Sequence, residues 1–283
     1  MPDYRPDGSK AGNTSGNGLA LRAVVELHPS GAGGAAVREI RNPRPADDGS
    51  CAVSLDVEEG TYDLYVWTDY AADSDPKSDN FYDTSDLRSV AVKTAPYRVS
   101  GDGKHAACAY IAGVDHSGDA TELNVYLQWP LAKYRLVATD LGRYNELRLV
   151  NPADYPAVDE LSFEIHYEYF LPTSFDVAAC RPNDSSSGIS YISEAVTAPD
   201  FPADEARMIG GDVVLADNSG SFVSLTIIVR DGGGKEIRRM EGIRVYYRRA
   251  FLTTVTGNFL TAGQTGGGVE ISTDWDEDIV VRF

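Results

Sequence analysis

The sequence predicts an all-β protein of two tandem β-sandwich domains, and three observations lead to this prediction. The composition is rich in Tyr (16) and Gly (27) with 42% hydrophobic residues, which is typical of folded β proteins. Short segments alternate apolar and polar residues between Gly/Pro turns. Finally, the chain has 283 residues and a typical sandwich has about 100, so two sandwiches fit.

The first half contains a series of alternating or apolar segments that predict strands. Gly60–Tyr70 is apolar on both faces, which predicts a central strand covered on both sides. Residues 1–18 are rich in Gly, Ser and Asn and predict a flexible N-terminal tail. The predicted strands of this half are 19–27, 51–57, 60–70, 105–113 and 122–129.

The second half repeats the same pattern. Within it, 231–235 (DGGGK) predicts a hairpin turn, because glycine supplies the positive φ that tight turns require. Pro130 interrupts the strand pattern, so we expect one sandwich over 19–129 and a second over 130–283. Only 83–90 and 202–209 are predicted to form a helical turn. The predicted strands are 133–139, 162–170, 222–230, 236–247, 268–272 and 279–283.

The charge excludes one class of partner. With 25 Lys+Arg against 43 Asp+Glu, the formal net charge is -18, and such a surface repels nucleic acid and anionic lipid. No apolar run approaches the ~20 residues that a membrane-spanning helix needs. The N-terminus has neither a basic nor an apolar signal region, so an export signal is expected to be absent or already removed.

No catalytic, cofactor or metal site is expected. The four histidines are scattered and lack metal-ligand spacing: His28, His105, His116 and His166. Asp73, Asp75 and Asp79 suggest a calcium loop, but the pattern fails at Ser78 and Thr84, where Gly and Glu are required. The acidic run 274–278 predicts a solvated turn.

The three cysteines are widely spaced and form no CxxC pair. Since thiols are among the groups most often buried, Cys51, Cys108 and Cys180 are expected to be buried and inert. An oxidising compartment would also allow a disulfide between Cys51 and Cys108.

An ordered set of motifs resembles the fimbrillin-like proteins of Bacteroidales: type V pilus subunits, tip or anchor proteins, and adhesin-like lipoproteins. The motifs are Gly60–Tyr70, Phe81–Val90, Leu127–Asp140, Tyr169–Val177 and Arg248–Thr261 with the glycines and acidic run that follow. The resemblance implies transthyretin-like sandwiches and a lipoprotein at the outer membrane or fimbrium. It also implies that 248–261 is a strand-to-strand corner with Arg248 and Arg249 as solvated charges.

The resemblance further implies assembly by strand exchange. In type V pilins an arginine-specific protease removes the first strand and opens a groove for a partner strand. Arg38, Arg41 and Arg44 lie after the first predicted strand of this chain, in a segment that would otherwise be an ordinary exposed loop. At the C-terminus, Ile279, Val281 and Phe283 share one face and form either a closing strand or a donor for the next subunit.

Two functions therefore stand side by side. One is a non-enzymatic fimbrial or adhesin-like subunit, whose partners are other fimbrial subunits or host and bacterial surface ligands and whose membrane contact is a lipid anchor alone. The other is a surface module that binds carbohydrate or protein, with Trp67 and Tyr70 as stacking platforms. An enzyme is the least supported class, because no titratable groups converge in the sequence.

Overall fold

The computed structural model describes residues 14–15, 18–31, 34–47, 49–72, 74–99, 102–197, 206–261 and 272–274. These residues form eighteen strands and one α-helix, which confirms the predicted all-β fold class. Before Pro130 lie β1 (Thr14–Ser15), β2 (Leu19–Pro29), β3 (Val37–Arg41), β4 (Gly60–Ala72), β5 (Tyr82–Asp83), β6 (Val90–Val92) and β7 (Ala107–His116).

The strands after Pro130 are β8 (Leu131–Ala138), β9 (Ser162–Tyr167), β10 (Leu171–Asp176), β11 (Arg181–Ser186), β12 (Ser190–Glu194), β13 (Val196–Thr197), β14 (Arg207–Leu215), β15 (Ser221–Arg230), β16 (Glu236–Tyr247), β17 (Leu252–Gly257) and β18 (Ser272–Asp274). The helix α1 is Leu141–Val150, and short 3-10 turns occur at Asp102–Lys104 and Val158–Glu160.

Sheet 1 has the order β1-β2-β4-β7, with β3 also paired to β2. Strand β4 is central and covered on both faces, as predicted. Its residue Trp67 joins the core that faces sheet 2, whereas Leu64 and Val66 point to the opposite face. The strand β1 lies within the predicted N-terminal tail, and the other residues of 1–17 lie outside the described residues.

The outer face of sheet 1 is covered by two extended segments, 51–57 and 122–127, which pack apolar side chains on Leu64 and Val66. Neither segment is a strand of a sheet, so the predictions of strands there are wrong. Their alternation reflects side chains that cover a sheet face, and it does not require ladder hydrogen bonds. Beyond them, an isolated bridge joins Gln128 to Cys108.

Sheet 2 has the order β11-β10-β6-β5. In it, Phe175 of β10 pairs with Val90 of β6, so strands from both sides of Pro130 share one sheet. Phe175 then packs with Val24 and Trp67 in the core of the first sandwich. The division between 129 and 130 stays a prediction, but a cut there would separate paired strands.

The second sandwich packs sheet 3 (β12-β9-β15-β16) on sheet 4 (β13-β14-β8-β17-β18). Alternate residues of β9, including Phe163 and Ile165, are fully buried in the core between them, as the alternation predicted. The predicted β15–β16 hairpin is confirmed, and Gly234 in its turn has a φ of 81°. In sheet 4, β17 runs parallel to β8.

The helix α1 lies where no helix was predicted. Only Leu141 and Tyr144 of its ten residues are buried, so its apolar periodicity is too weak to indicate a helix. Residues 83–90 form strand ends and turns instead of a helical turn, and Arg207 begins a strand. No helix within the described ranges has the length and apolar character that crossing a membrane requires.

A buried polar cluster connects residues from the two sides of Pro130. Lys104, which is 1% exposed, places its Nζ 2.9 Å from Asp212 Oδ1. The other carboxylate oxygen accepts hydrogen bonds from the hydroxyls of Tyr97 and Tyr167, the latter at 2.7 Å. Tyr134 continues the chain of hydroxyls, 2.8 Å from Tyr167. These five residues, the Lys104–Asp212 cluster, bind the first sandwich to the second.

Candidate functional site at the edge of sheet 1

The predicted processing segment begins as a strand and not as a loop. Strand β3 pairs antiparallel with β2, from Val37 opposite Leu27 to Arg41 opposite Ala23. Within the described residues it has no other strand partner, so it forms an edge of sheet 1. The loop prediction is therefore wrong for 37–41, because these residues complete a hairpin, and it holds for the irregular segment that follows.

Arg38 is held in place by contacts on two sides. Its guanidinium pairs with Glu26, a residue of β2 that is 4% exposed, and Nη2 donates to the Thr84 carbonyl at 2.5 Å. The other Glu26 oxygen lies 2.9 Å from His28 Nε2. Burial lowers the pKa of His28, so near neutral pH this nitrogen is the donor of an uncharged ring. We call these contacts the Arg38 clamp.

Thr84 connects the Arg38 clamp to a buried network of ion pairs around Arg22 of β2. Arg22, with no exposed surface, makes two hydrogen bonds of 2.7 Å to Asp69 and a third of 2.7 Å to Asp79. Asp79 also accepts from Thr84 at 3.0 Å. Burial opposes the charge of Arg22, but the Asp69 hydrogen bonds and ion pairing raise its pKa. Sequence reasoning missed Arg22, because a charged residue in an alternating strand suggests a solvent-facing position.

The other two arginines of the segment differ from Arg38. Arg41 ends β3, its side chain is 63% exposed, and it forms an ion pair of 2.9 Å with Glu39. Arg44 is exposed in the irregular segment and directly precedes Pro45. The structure thus separates one anchored arginine from two accessible ones.

A groove of about 510 Å³ lies beside β12, an outer strand of sheet 3. Its lining comes from both sides of Pro130 and includes Leu19, Phe81, Tyr97, Arg98, Tyr191 and Ile192. Trp67 does not contribute, because it is 0% exposed in the first core. The prediction that Trp67 serves as a stacking platform is wrong, and Tyr70 is only half-exposed.

The predicted corner 248–261 is correct only for 248–251, which connect β16 to β17, because Leu252–Gly257 are the strand β17 itself. Arg248 stacks on Phe251 at 3.7 Å from the ring centroid, and Ala250 turns the chain with a φ of 64°. Arg249 is half-buried and donates to Cys180 Sγ at 2.5 Å. The expectation of two solvated charges is therefore wrong for Arg249, whose guanidinium pairs with a sulfur atom.

The cysteines are not uniformly buried. Cys108 is 1% exposed, Cys180 is half-buried and Cys51 is exposed, so the prediction of three buried thiols is correct only for Cys108. The thiol of Cys108 hydrogen bonds with that of Cys180, and all three cysteines are thiols in the structure.

Two further predictions concern the C-terminal strand and metal binding. Ile279, Val281 and Phe283 lie outside the described residues. Among the residues that the structure describes, no group of three or more His, Cys, Asp or Glu side chains is arranged to hold a metal ion.

The model of a family of unknown function, DUF6562, matches residues 4–282. The chain belongs to DUF6562. No curated protein matches this DUF6562 chain in sequence.

Solved structures similar to the DUF6562 chain come from Bacteroidales. A candidate polysaccharide-binding protein of Bacteroides thetaiotaomicron has a TM-score of 0.50 at 10% identity, over 83% of this chain and 82% of that one. A candidate adhesin from Bacteroides ovatus has a TM-score of 0.46 at 13% identity, over 91% and 88%. The fimbrial anchor protein Mfa2 from Porphyromonas gingivalis has a TM-score of 0.44 at 11% identity, over 90% and 89%. The first likeness supports the fold of the DUF6562 chain.

Proposed function

We propose that this chain is a non-enzymatic cell-surface subunit of a fimbrial or adhesin-like assembly, which joins partner subunits through β-strand exchange. The observation that carries the proposal is the edge of sheet 1. Its outermost strand β3 pairs only with β2 among the described residues and ends at the exposed Arg41. The ordered motifs that resemble fimbrillin-like proteins support the same function.

Cleavage after Arg41 would release β1, β2 and β3 together. Because β2 pairs with β4 from Leu19 opposite Ala72 to Pro29 opposite Tyr62, its loss would expose a long row of backbone N–H and C=O groups on β4. Such an open edge accepts a strand from another chain. The apolar residues that β2 covers would supply the specificity of the groove.

The three arginines are not equal targets for a protease. Arg38 is bound by the clamp, and its peptide bond lies within a paired strand. The bond after Arg44 leads into Pro45, whose ring and missing N–H hinder protease binding. Arg41 combines an exposed side chain with a position at the strand end, where the chain frays most easily. We therefore propose Arg41 as the processing position.

Brief digestion of the folded chain with an arginine-specific protease tests this assignment. We expect the first cut between Arg41 and Asn42 in the natural sequence and in the control Arg44→Gln. The variant Arg41→Gln should keep its N-terminal segment. A first cut after Arg44 or at 248–249, identified by mass spectrometry, would remove the case for strand release at Arg41.

The cellular location of the chain and its assembly with other subunits complete the proposed function. We propose an extracellular location at the outer membrane or fimbrium, with a lipid anchor as the membrane contact. Ile279, Val281 and Phe283 remain the proposed closing or donor strand. Partner subunits mixed with the Arg41-cleaved chain should form assemblies that the uncleaved chain does not form, and equal assembly by both would contradict strand exchange.

A second candidate function rests on the groove beside β12. Tyr97 and Arg98 offer a partly exposed aromatic ring and an exposed guanidinium that suit a sugar ring or a peptide. In this alternative the chain is a surface binding module. A glycan array separates the two functions, because binding by the uncleaved chain that is lost in Arg98→Gln, an exposed position of the groove, would favour the groove.

A further inference from the structure

Two cysteines that are distant in the sequence meet between the sheets of the first sandwich. Cys108 lies in β7 of sheet 1, where it pairs with Trp67. Cys180 ends the turn between β10 and β11 of sheet 2, with a φ of 51°. Cys108 is a buried residue of the apolar core and Cys180 packs against that core, partly buried, and hydrogen bonding between the two thiols is the main cause of the pKa shifts of both. The two sulfur atoms are therefore neighbours at a junction of two sheets.

Arg249 completes this arrangement from a third element. Its Nη1 donates to Cys180 Sγ at 2.5 Å, and its backbone N–H is fixed by the Asp217 carbonyl at 2.9 Å. Asp217 is the other charged group that acts on Cys180, and it opposes the effect of Arg249. A guanidinium directed at a sulfur atom is an arrangement that stabilises a thiolate.

The electrostatics give the two sulfurs different roles. The hydrogen bond from Cys108 and the charge of Arg249 lower the pKa of Cys180 to about 6. The same hydrogen bond, together with burial, raises the pKa of Cys108. Near neutral pH the pair thus holds one thiolate, on the half-exposed Cys180, and one buried thiol.

We propose that Cys180 and Cys108 form a thiol–disulfide exchange site that reacts with small-molecule or protein disulfides. The Cys180 thiolate attacks one sulfur of the external disulfide, whose S–S bond breaks, and the first thiolate leaves. Cys108 then gives its proton to the thiolate that has left and attacks Cys180 Sγ, which forms the Cys108–Cys180 disulfide and expels the second thiolate, and this thiolate takes a proton from water. The external disulfide is reduced to two thiols, and the protein dithiol is oxidised.

The product joins sheet 1 to sheet 2 and residues before Pro130 to residues after it. It closes a long loop, and constraint of the unfolded chain by such a loop should raise the melting temperature by roughly 10 °C. This inference does not rest on the proposed surface function, because it concerns the folded chain alone.

Incubation of the reduced, folded chain with oxidised glutathione at neutral pH tests the exchange. We expect a product lighter by two hydrogen atoms, a peptide map that joins 108 to 180, and Cys51 still open to alkylation. In Cys108→Ala the reaction should stop at a glutathione adduct on Cys180. A natural chain that yields only adducts, or none, would overturn the proposal.

The role of Arg249 is tested by the rate at which iodoacetamide alkylates Cys180 near pH 7. Cys180 should react faster than Cys51, and Arg249→Gln should slow it roughly tenfold, since thiolate is lost while the remaining thiolate becomes more nucleophilic. Arg248→Gln, which alters the neighbouring exposed arginine, is the matched control and should leave the rate unchanged. Equal rates in the two arginine variants would overturn the role of Arg249.

Discussion

At the scale of single residues, the molecule depends on charges that are buried but paired. Burial lowers the pKa of Lys104, and the ion pair with Asp212 acts against that loss. A buried ion pair adds little net stability, but a single partner left behind is costly. The pair therefore fixes how the two sandwiches meet more than it strengthens them.

Substitution of one partner tests this directly. We expect Lys104→Met or Asp212→Asn to cost about 3–5 kcal/mol in the free energy of unfolding, because each leaves an uncompensated buried group. The double variant should cost less than the sum of the two, as coupled neighbours do. Urea unfolding measures all three, with Lys93→Met at an exposed position as the control. Additive costs would show that the two residues are independent.

Sequence reasoning was weakest for the burial and the contacts of individual charged residues. The alternation in β9 predicted the burial of Phe163 and Ile165, because apolar side chains at every second position of a strand lie on one face of the sheet, and that face packs on the core. Nothing local indicated that Arg22 or Lys104 is buried, since the acids that pair with them lie far along the chain. Contacts such as that of Cys108 with Cys180 depend on the assembled sheets.

At the scale of elements, the β15–β16 hairpin contains a bulge that a carboxylate stabilises. The register shifts between Leu225 and Ile227, and Gly242 on the opposite strand has a φ of 71°. Glu168 accepts hydrogen bonds from the Gly242 N–H at 2.7 Å and the Thr226 hydroxyl at 2.8 Å. A third bond comes from the Ser224 hydroxyl.

The pKa of Glu168 gives this contact a pH dependence. Burial opposes the charge, but the hydrogen bond from Ser224 and the other two lower the pKa below its ordinary 4.5. A carboxyl with a lowered folded pKa stabilises the fold above its unfolded pKa, and the stabilisation is lost as pH falls through the folded value. Acid should therefore loosen the hairpin.

We expect Glu168→Gln to cost about 1 kcal/mol at neutral pH, the size of a typical hydrogen-bond loss. The difference from the natural chain should shrink as the pH falls below the unfolded pKa and through the lowered folded pKa of Glu168, where this carboxyl becomes protonated. Thermal unfolding between pH 7 and pH 3 measures both effects. Glu241→Gln, at an exposed position of β16, is the control, and matching curves for the two variants would contradict the prediction.

Elements were predicted well where they alternate and lie in ladders. The segments 51–57 and 122–127 alternate too, but they cover sheet 1 without joining a ladder. Sequence periodicity reports which side chains are covered and not which backbone groups are paired. The helix α1 shows the converse, because its hydrogen bonds form although only Leu141 and Tyr144 of its residues are buried.

At the scale of the whole molecule, the two sandwiches are less separable than the position of Pro130 suggested. Sheet 2 takes β5 and β6 from one side of that residue and β10 and β11 from the other. The Lys104–Asp212 cluster crosses the same boundary. The first sandwich therefore needs residues 171–186 for half of its second sheet.

Separate expression of 19–129 and 130–283 tests this dependence. We expect 19–129 alone to lack cooperative thermal unfolding, because Trp67 and the rest of its core would have lost Phe175. When the two pieces are produced together, they should bind each other and recover the melting transition. A cooperatively folded 19–129 would show that the boundary at Pro130 is a true division.

The shared sheet also sets the order in which the chain can fold. As the polypeptide emerges from its N-terminus, β2, β4 and β7 of sheet 1 can pair early, since β2 and β4 join residues 19–72. Strand β6 can pair with β5 at once, but its other edge must wait for β10, so the part of the cover over Trp67 that Phe175 supplies arrives only after residue 176. Such distant pairings slow folding and leave apolar surface exposed in the meantime. The nascent chain is thus most prone to aggregation when its first half is already complete.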